Sequence, residues 1–152
     1  YRGQVSLSRI LGTLLARRLA ARGRGRVAAI LPVPLHPARE ARRGYNQARE
    51  IAVFVADLLR LPLHDGLARR IRHTEEQAAL PALVREVNVR GAFQVQSRVP
   101  PSRVAMVDHV LTTGATVEEL ARMLRAAGCR HVEIWAVARA AGHGAGAQPP
   151  LR

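Results

Sequence analysis

The segment VAMVDHVLTTGAT, residues 104 to 116, places one carboxylate, one imidazole and three threonine hydroxyls behind a run of four apolar residues. The run reads as a buried strand with Asp108 at its tip, and in open parallel sheets ligands gather beyond the carboxyl ends of the strands. The turn that follows, Thr112, Thr113, Gly114, Ala115 and Thr116, aims successive backbone N–H groups and the positive end of a helix at one concavity, which suits a phosphate. Gly114 lets the backbone approach closely. Asp108 would repel that phosphate, but it can accept hydrogen bonds from sugar hydroxyls nearby. Acid and cradle together point to a phosphorylated sugar. The competing explanation for this segment alone is a plain strand–turn–helix connection with Asp and Thr as turn formers. His109 can hydrogen-bond substrate or accept a proton, and a structural role at the strand end is the equal alternative.

A chain of 152 residues suits one domain around one core. Aromatics make up only 3%, so that core must be built from Ala, Val, Leu and Ile. No stretch reaches the roughly 18 apolar residues of a membrane span, and no signal-peptide pattern opens the chain. With a single cysteine, Cys129, there is no internal disulfide, and a cytoplasmic setting is expected. The 24 basic residues are all arginine and the net charge is +13. The absence of lysine excludes a Walker-type phosphate loop and a lysine Schiff base. The charge itself has two readings: a solvated basic surface, or anionic partners such as phosphorylated small molecules or nucleic acid. His36, His64, His73, His109, His131 and His143 show no ligand spacing, so no protein-built metal site is expected. The scarce aromatics argue against a base-stacking platform for nucleic acid.

These residues need elements to position them. Residues 5 to 23 predict an amphipathic helix with Leu7, Ile10, Leu11, Leu14 and Leu15 turned inward. A buried strand is expected over 27 to 33. One helix should cover 42 to 59, with Ala48, Ile51, Ala52 and Val55 on its inner face. Shorter strands are expected within 62 to 70 and 91 to 95, and a helix-like stretch at 74 to 89 is broken by Pro81. A strand over 103 to 108 leads to the best-signalled helix, where Thr116 and Glu119 have the spacing of a capping box and Gly128 stops it. A last strand covers 131 to 139, and the Gly/Pro-rich tail from 140 to 152 is expected to be disordered. Alternating strands and helices predict an α/β fold with a mostly parallel sheet.

Four ordered blocks carry a family resemblance: PVPLHPAREARRGYNQA at 32 to 48, RIRHTEEQ at 70 to 77, REVNVRGAF at 85 to 93, and the 104 to 116 segment. Together they resemble the ComF-type, competence-associated branch of the type I phosphoribosyltransferase superfamily. The resemblance implies a Rossmann-like three-layer domain over 1 to 139 with a small hood segment within 73 to 90. It implies that the chain binds 5-phosphoribosyl-1-pyrophosphate (PRPP), with Mg²⁺ carried in on the diphosphate. The phosphoribosyl group would pass to a nitrogen nucleophile of unknown identity, releasing pyrophosphate. Val33, Pro34 and Leu35 would form the pyrophosphate loop, with Arg39 and Arg43 beside it and Arg42 in solvent. Asp108 would meet the ribose hydroxyls, with His109 beside it in the catalytic region, and residues 112 to 116 would hold the 5′-phosphate. Two departures stand out. His109 replaces a second acid, and the cysteine-rich zinc module and nearby lysine of relatives have no counterpart among these residues. The alternatives carried forward are a non-catalytic participant in DNA uptake and a PRPP-sensing regulator. A homodimer is left open.

Overall fold

A computed structural model describes residues 2–23, 27–73, 89–96 and 103–140. In chain order the elements are α1 (Arg2–Arg22), β1 (Val27–Pro32), α2 (Pro37–Arg43), α3 (Gln47–Leu59), β2 (Ala68–Arg70), β3 (Phe93–Val95), β4 (Arg103–Leu111), α4 (Ala115–Ala126) and β5 (His131–Arg139). The hood-like stretch at 74–88 and the tail at 141–152 lie outside the described residues.

The sheet is parallel, in the order β1–β4–β5. Residues 62–64 extend it on the far side of β1, where Ile30 N–H donates to the Pro62 carbonyl and His64 N–H donates to that of Ile30, both at 2.8 Å. Side chains on β4 alternate between the two faces. Val104 and Met106 pack with Val117, Leu120 and Leu124 of α4 and with Phe93. Ala105 and Val107 face Ile51, Ala52 and Val55 of α3, together with Ala16 of α1. Helices thus cover both faces, the three-layer α/β arrangement expected from the alternating pattern. Leu120 and Leu124 are fully buried, and each such side chain stabilises the fold by about 1.5–3 kcal/mol.

Four expectations need correction. The apolar stripe of α1 is only partly its inner face: Leu11 and Leu15 pack against the core as expected, but Leu7, Ile10 and Leu14 are more than half exposed, while Ser8, Gly12 and Ala16 point inward. Small residues let α1 lie close against α3, so close that a Cβ on Gly12 would stand 2.8 Å from that of Phe54. The helix expected over 42 to 59 is two helices. Gly44 closes α2 in the left-handed region at φ 85°, and Asn46 opens α3 by accepting the N–H groups of Ala48 and Arg49. The strand carrying Asp108 does not stop there but runs on to Leu111, because β5 continues to pair with it. The capping box at Thr116 and Glu119 does not form. The N-cap of α4 is Gly114, two residues earlier, with no side-chain cap, and Glu119 turns instead to Gly91 and Arg122.

Candidate functional site

The β1–β4 ladder ends where Pro32 pairs with Val107 and Val33 N–H donates to the Val107 carbonyl. From that point β1 turns away and β4 continues, so Asp108 is the first residue of β4 with no β1 residue paired beside it. This divergence opens a cleft of about 380 Å³. Its lining brings together Val33, Pro34, Leu35, Arg39 and Arg43 from one side and Asp108, His109, Thr112 and Thr116 from the other. Gly114 lines a smaller hollow of about 30 Å³ that also touches Asp108, Thr112 and Thr116. Thr113 and Ala115 line neither: the Thr113 hydroxyl accepts the Ala115 N–H at 3.4 Å, and Ala115 is buried. Arg42 shares a separate groove of about 180 Å³ with Leu35, Arg39 and Arg43.

Asp108 is largely buried, and one of its oxygens, Oδ1, accepts both the His109 N–H at 2.7 Å and an interaction with the His109 ring Nδ1 at 3.1 Å. His109 is thereby given a partner: it folds back onto the acid before it and holds one carboxylate oxygen. The head of α4 supplies a positive dipole end, but the exposed Glu118 sits over it. A Cβ on Gly114 would come within 3.2 Å of Glu118 Oε1.

Two further groups of the cleft matter: Asn46, one of the RGYNQA residues expected either to order a helix start or to touch substrate, does the former, and Arg70 is not singled out by the sequence as a site residue. Asn46 Nδ2 donates to the Val33 carbonyl at 3.1 Å while Oδ1 caps α3, so one side chain fastens the loop after β1 to a helix. Arg70, on β2, is only 6% exposed yet lines the cleft, its guanidinium 5.5 Å from the centre of the Phe93 ring. Burial pushes the Arg70 guanidinium below the usual arginine value, with Arg39 acting the same way and Asp108 opposing. The signal was present in the alternation of β2, which puts Arg70 on the same inward face as Ala68. Arg70, Pro34, Leu35 and Asn46 also line a second groove of about 380 Å³ on the other side of the loop, whose rim carries the Arg49–Asp65 ion pair. His36, at the end of the loop, meets the His73 ring edge-to-face at 5.0 Å. Among the described residues no group of three or more His, Cys, Asp or Glu side chains is placed to hold a metal ion.

A cleft between the first strand of a parallel sheet and a strand–loop–helix bearing an acid and a threonine–glycine turn defines the class: a type I phosphoribosyltransferase-type fold. Among solved structures, the chain is similar to TT1426 from Thermus thermophilus, with a TM-score of 0.52 and 18% identity over 91% of this chain and 86% of that one. It also aligns with orotate phosphoribosyltransferase from Aeropyrum pernix, at a TM-score of 0.46 and 20% identity over 88% of this chain and 70% of that one. Competence protein F from Haemophilus influenzae is 39% identical over 115 residues, 74% of this chain and 50% of that protein. DNA utilization protein YhgH from Escherichia coli K12 is 34% identical over 110 residues, 72% of this chain and 48% of that protein. The chain belongs to this ComF-type, competence-associated family. It spans about half the length of the curated relatives it matches. A scan against protein-family models gave no match. No helix among the described residues is long and apolar enough to cross a membrane.

Proposed function

We propose that the cleft binds PRPP and transfers its phosphoribosyl group to a nitrogen nucleophile, releasing pyrophosphate in a cytoplasmic setting. The observation that carries this is the meeting of two anion-suited walls around one acid. Val33 to Leu35 with Arg39 and Arg43 stand on one side, Thr112 and Thr116 on the other, and Asp108 lies between them. A sugar bearing phosphates at both ends offers an anion to each wall and hydroxyls to the acid. Arginine forks suit the diphosphate, the loop at the head of α4 suits the 5′-phosphate, and Asp108 suits the ribose hydroxyls. Mg²⁺ would arrive on the diphosphate and neutralise part of its charge. The chain's own contribution is positional and electrostatic: it orients the sugar and surrounds the leaving group with fixed positive charge.

Calorimetric titration with PRPP and Mg²⁺ tests this directly. Wild type should bind, and Asp108→Asn should weaken binding by about 10-fold or more, the effect of losing a charged hydrogen-bond acceptor. No heat of binding in the wild type would overturn the reading.

A second reading is a role in handling DNA. It is favoured by the net charge of +13 and by relatives named as competence and DNA utilization proteins. Phosphate contacts through arginines would supply the affinity, without base recognition.

A further inference from the structure

We propose that the groove beside α2 that Arg42 shares is a second anion site, separate from the cleft, which takes a single terminal phosphate group. The groove holds about 180 Å³ and is lined by Leu35, Arg39, Arg42 and Arg43, with no acid among its described lining residues. Helical spacing gathers the charges: Arg42 follows Arg39 by three residues and Arg43 follows it by four, so all three lie on one face of α2. Glu40, the one acid of that helix, lines the other groove instead, near enough to Arg49 to favour its charged form. The helix that carries the arginines is fixed at both ends. His36 Nδ1 accepts the Ala38 N–H at 3.2 Å at its start, and Gly44 closes it in the left-handed region. Arg43 is steadied in turn by donating to Gln47 Oε1 at 3.4 Å. Three like charges held together in this way repel one another, and an anion among them relieves that repulsion.

Size and charge select the ligand. The volume falls well short of the roughly 300 Å³ at which pockets for drug-sized ligands begin, so a phosphate group fits and a whole nucleotide does not. Three guanidinium forks match the three free oxygens and two charges of inorganic phosphate or a phosphomonoester. A phosphodiester, with two free oxygens and one charge, matches them less well. The position of the groove gives it a consequence for the cleft. Arg39 and Arg43 line both hollows, whereas Arg42 lines only the outer one. Phosphate in the outer groove draws the two shared guanidinium groups away from the cleft, so it opposes the binding of a diphosphate there. That opposition is reciprocal, since each anion weakens the other by the same factor. The coupling rests on the phosphoribosyl reading of the cleft; the anion site itself does not.

Calorimetric titration at fixed ionic strength tests the site, with inorganic phosphate, methyl phosphate and dimethyl phosphate as probes. Each is added to wild type, Arg42→Gln and Arg42→Lys, and melting temperatures in phosphate-free buffer check that the variants fold. Phosphate affinity should fall by about 10-fold or more in Arg42→Gln, as expected for losing a charged donor, with Arg42→Lys in between. Affinity for PRPP with Mg²⁺ should stay within about twofold of wild type, because the exposed Arg42 lies outside the cleft and is screened from it. Methyl phosphate should follow phosphate, and the tighter of the two tells whether the natural ligand is the free anion or an ester. Dimethyl phosphate should bind far more weakly than either. A fixed, saturating level of phosphate should lower PRPP affinity about fivefold in wild type and by less in Arg42→Gln. Equal phosphate affinity in wild type and a folded Arg42→Gln overturns the site, as does a wild type that takes up no phosphate. Dimethyl phosphate bound as tightly as phosphate, with the same dependence on Arg42, overturns it in favour of a nucleic-acid groove. Equal antagonism of PRPP in both proteins means simple competition within the cleft and removes the coupling. A wild type that ignores PRPP yet holds phosphate through Arg42 sinks the phosphoribosyl reading and leaves the anion site standing.

Discussion

Glu118 and Glu119 stand side by side at the head of α4 and do opposite things. Glu118 is exposed over the positive end of the helix, where an acid favours the helix by about 0.3–1 kcal/mol but competes with an arriving phosphate. Glu118→Gln should therefore raise PRPP affinity about two- to fivefold at low ionic strength, with the gain shrinking as salt is added. Titration at two salt concentrations checks this, and equal affinities for the variant and wild type at low salt would count against it. Glu119 is buried and accepts the Gly91 N–H and two bonds from Arg122, each at 2.8 Å. The Arg122 bond holds its carboxyl below the usual value, burial opposes, and the Gly91 N–H adds to the lowering. A depressed folded-state value means that the ionised form stabilises the fold at neutral pH. That stabilisation is lost as pH falls through the lowered value. Glu119→Gln should cost about 1–2 kcal/mol at pH 7, and the gap in melting temperature should narrow as pH falls through the ordinary glutamate range and close beneath the lowered value. A gap that persists in acid would show that the charge is not what matters.

At the scale of elements, what could be read from the sequence was the alternation of strands with helices and the two walls of the cleft. Apolar runs such as Val104–Val107 and the inner stripe of α3 report burial directly, because a two- or 3.6-residue period has one cause. Features decided by neighbours distant in sequence were not legible. The inward face of α1 depends on α3, whose Phe54 and Ile51 select Gly12 over the leucines. Asp108 lies within a strand rather than at its tip because β5 runs alongside through Arg139. Glu119 had the spacing of a capping partner, yet Gly91, 28 residues earlier, claimed it. At the site, the four sequence blocks marked the loop and the acid, and the alternation of β2 carried a signal for the inward turn of Arg70, but its place at the cleft shows only in the structure, where β2 pairs with β3 and Ala68 and Phe93 join the core. The contact of α1 with α3 gives a test of sign. Gly→Ala in a helix ordinarily gains about 1 kcal/mol. At Gly12 the new methyl would lie 2.8 Å from Phe54 Cβ and 3.0 Å from the Ile51 carbonyl oxygen, so Gly12→Ala should instead lose about 1–3 kcal/mol. Chemical denaturation decides between them, and a stabilised variant would mean that the helices separate freely.

For the molecule as a whole, +13 net charge carried entirely by arginine predicts association with DNA whatever happens in the cleft. Affinity for a duplex of arbitrary sequence should fall steeply with salt, by about one power of ten per tenfold salt for each phosphate neutralised. It should be the same in Asp108→Asn as in wild type. A salt-independent affinity, or one lost with Asp108, would remove the purely electrostatic account of the second reading.

Pro34 and Leu35 line two hollows, each carrying three arginines: Arg39, Arg43 and Arg70 in the one that holds Asp108, Arg49, Arg69 and Arg70 in the other. Filling the hollow beside Asp108, where three arginines face one acid, calls for heavily anionic compounds, which cross cell envelopes badly. Its neighbour is floored by Pro32, Pro34 and Pro37 and sets two acids, Glu40 and Asp65, against its three arginines. Whatever settles in that neighbour meets a proline floor and an Arg49–Asp65 pair already matched in charge, a surface with nothing in common with a sugar-phosphate cradle.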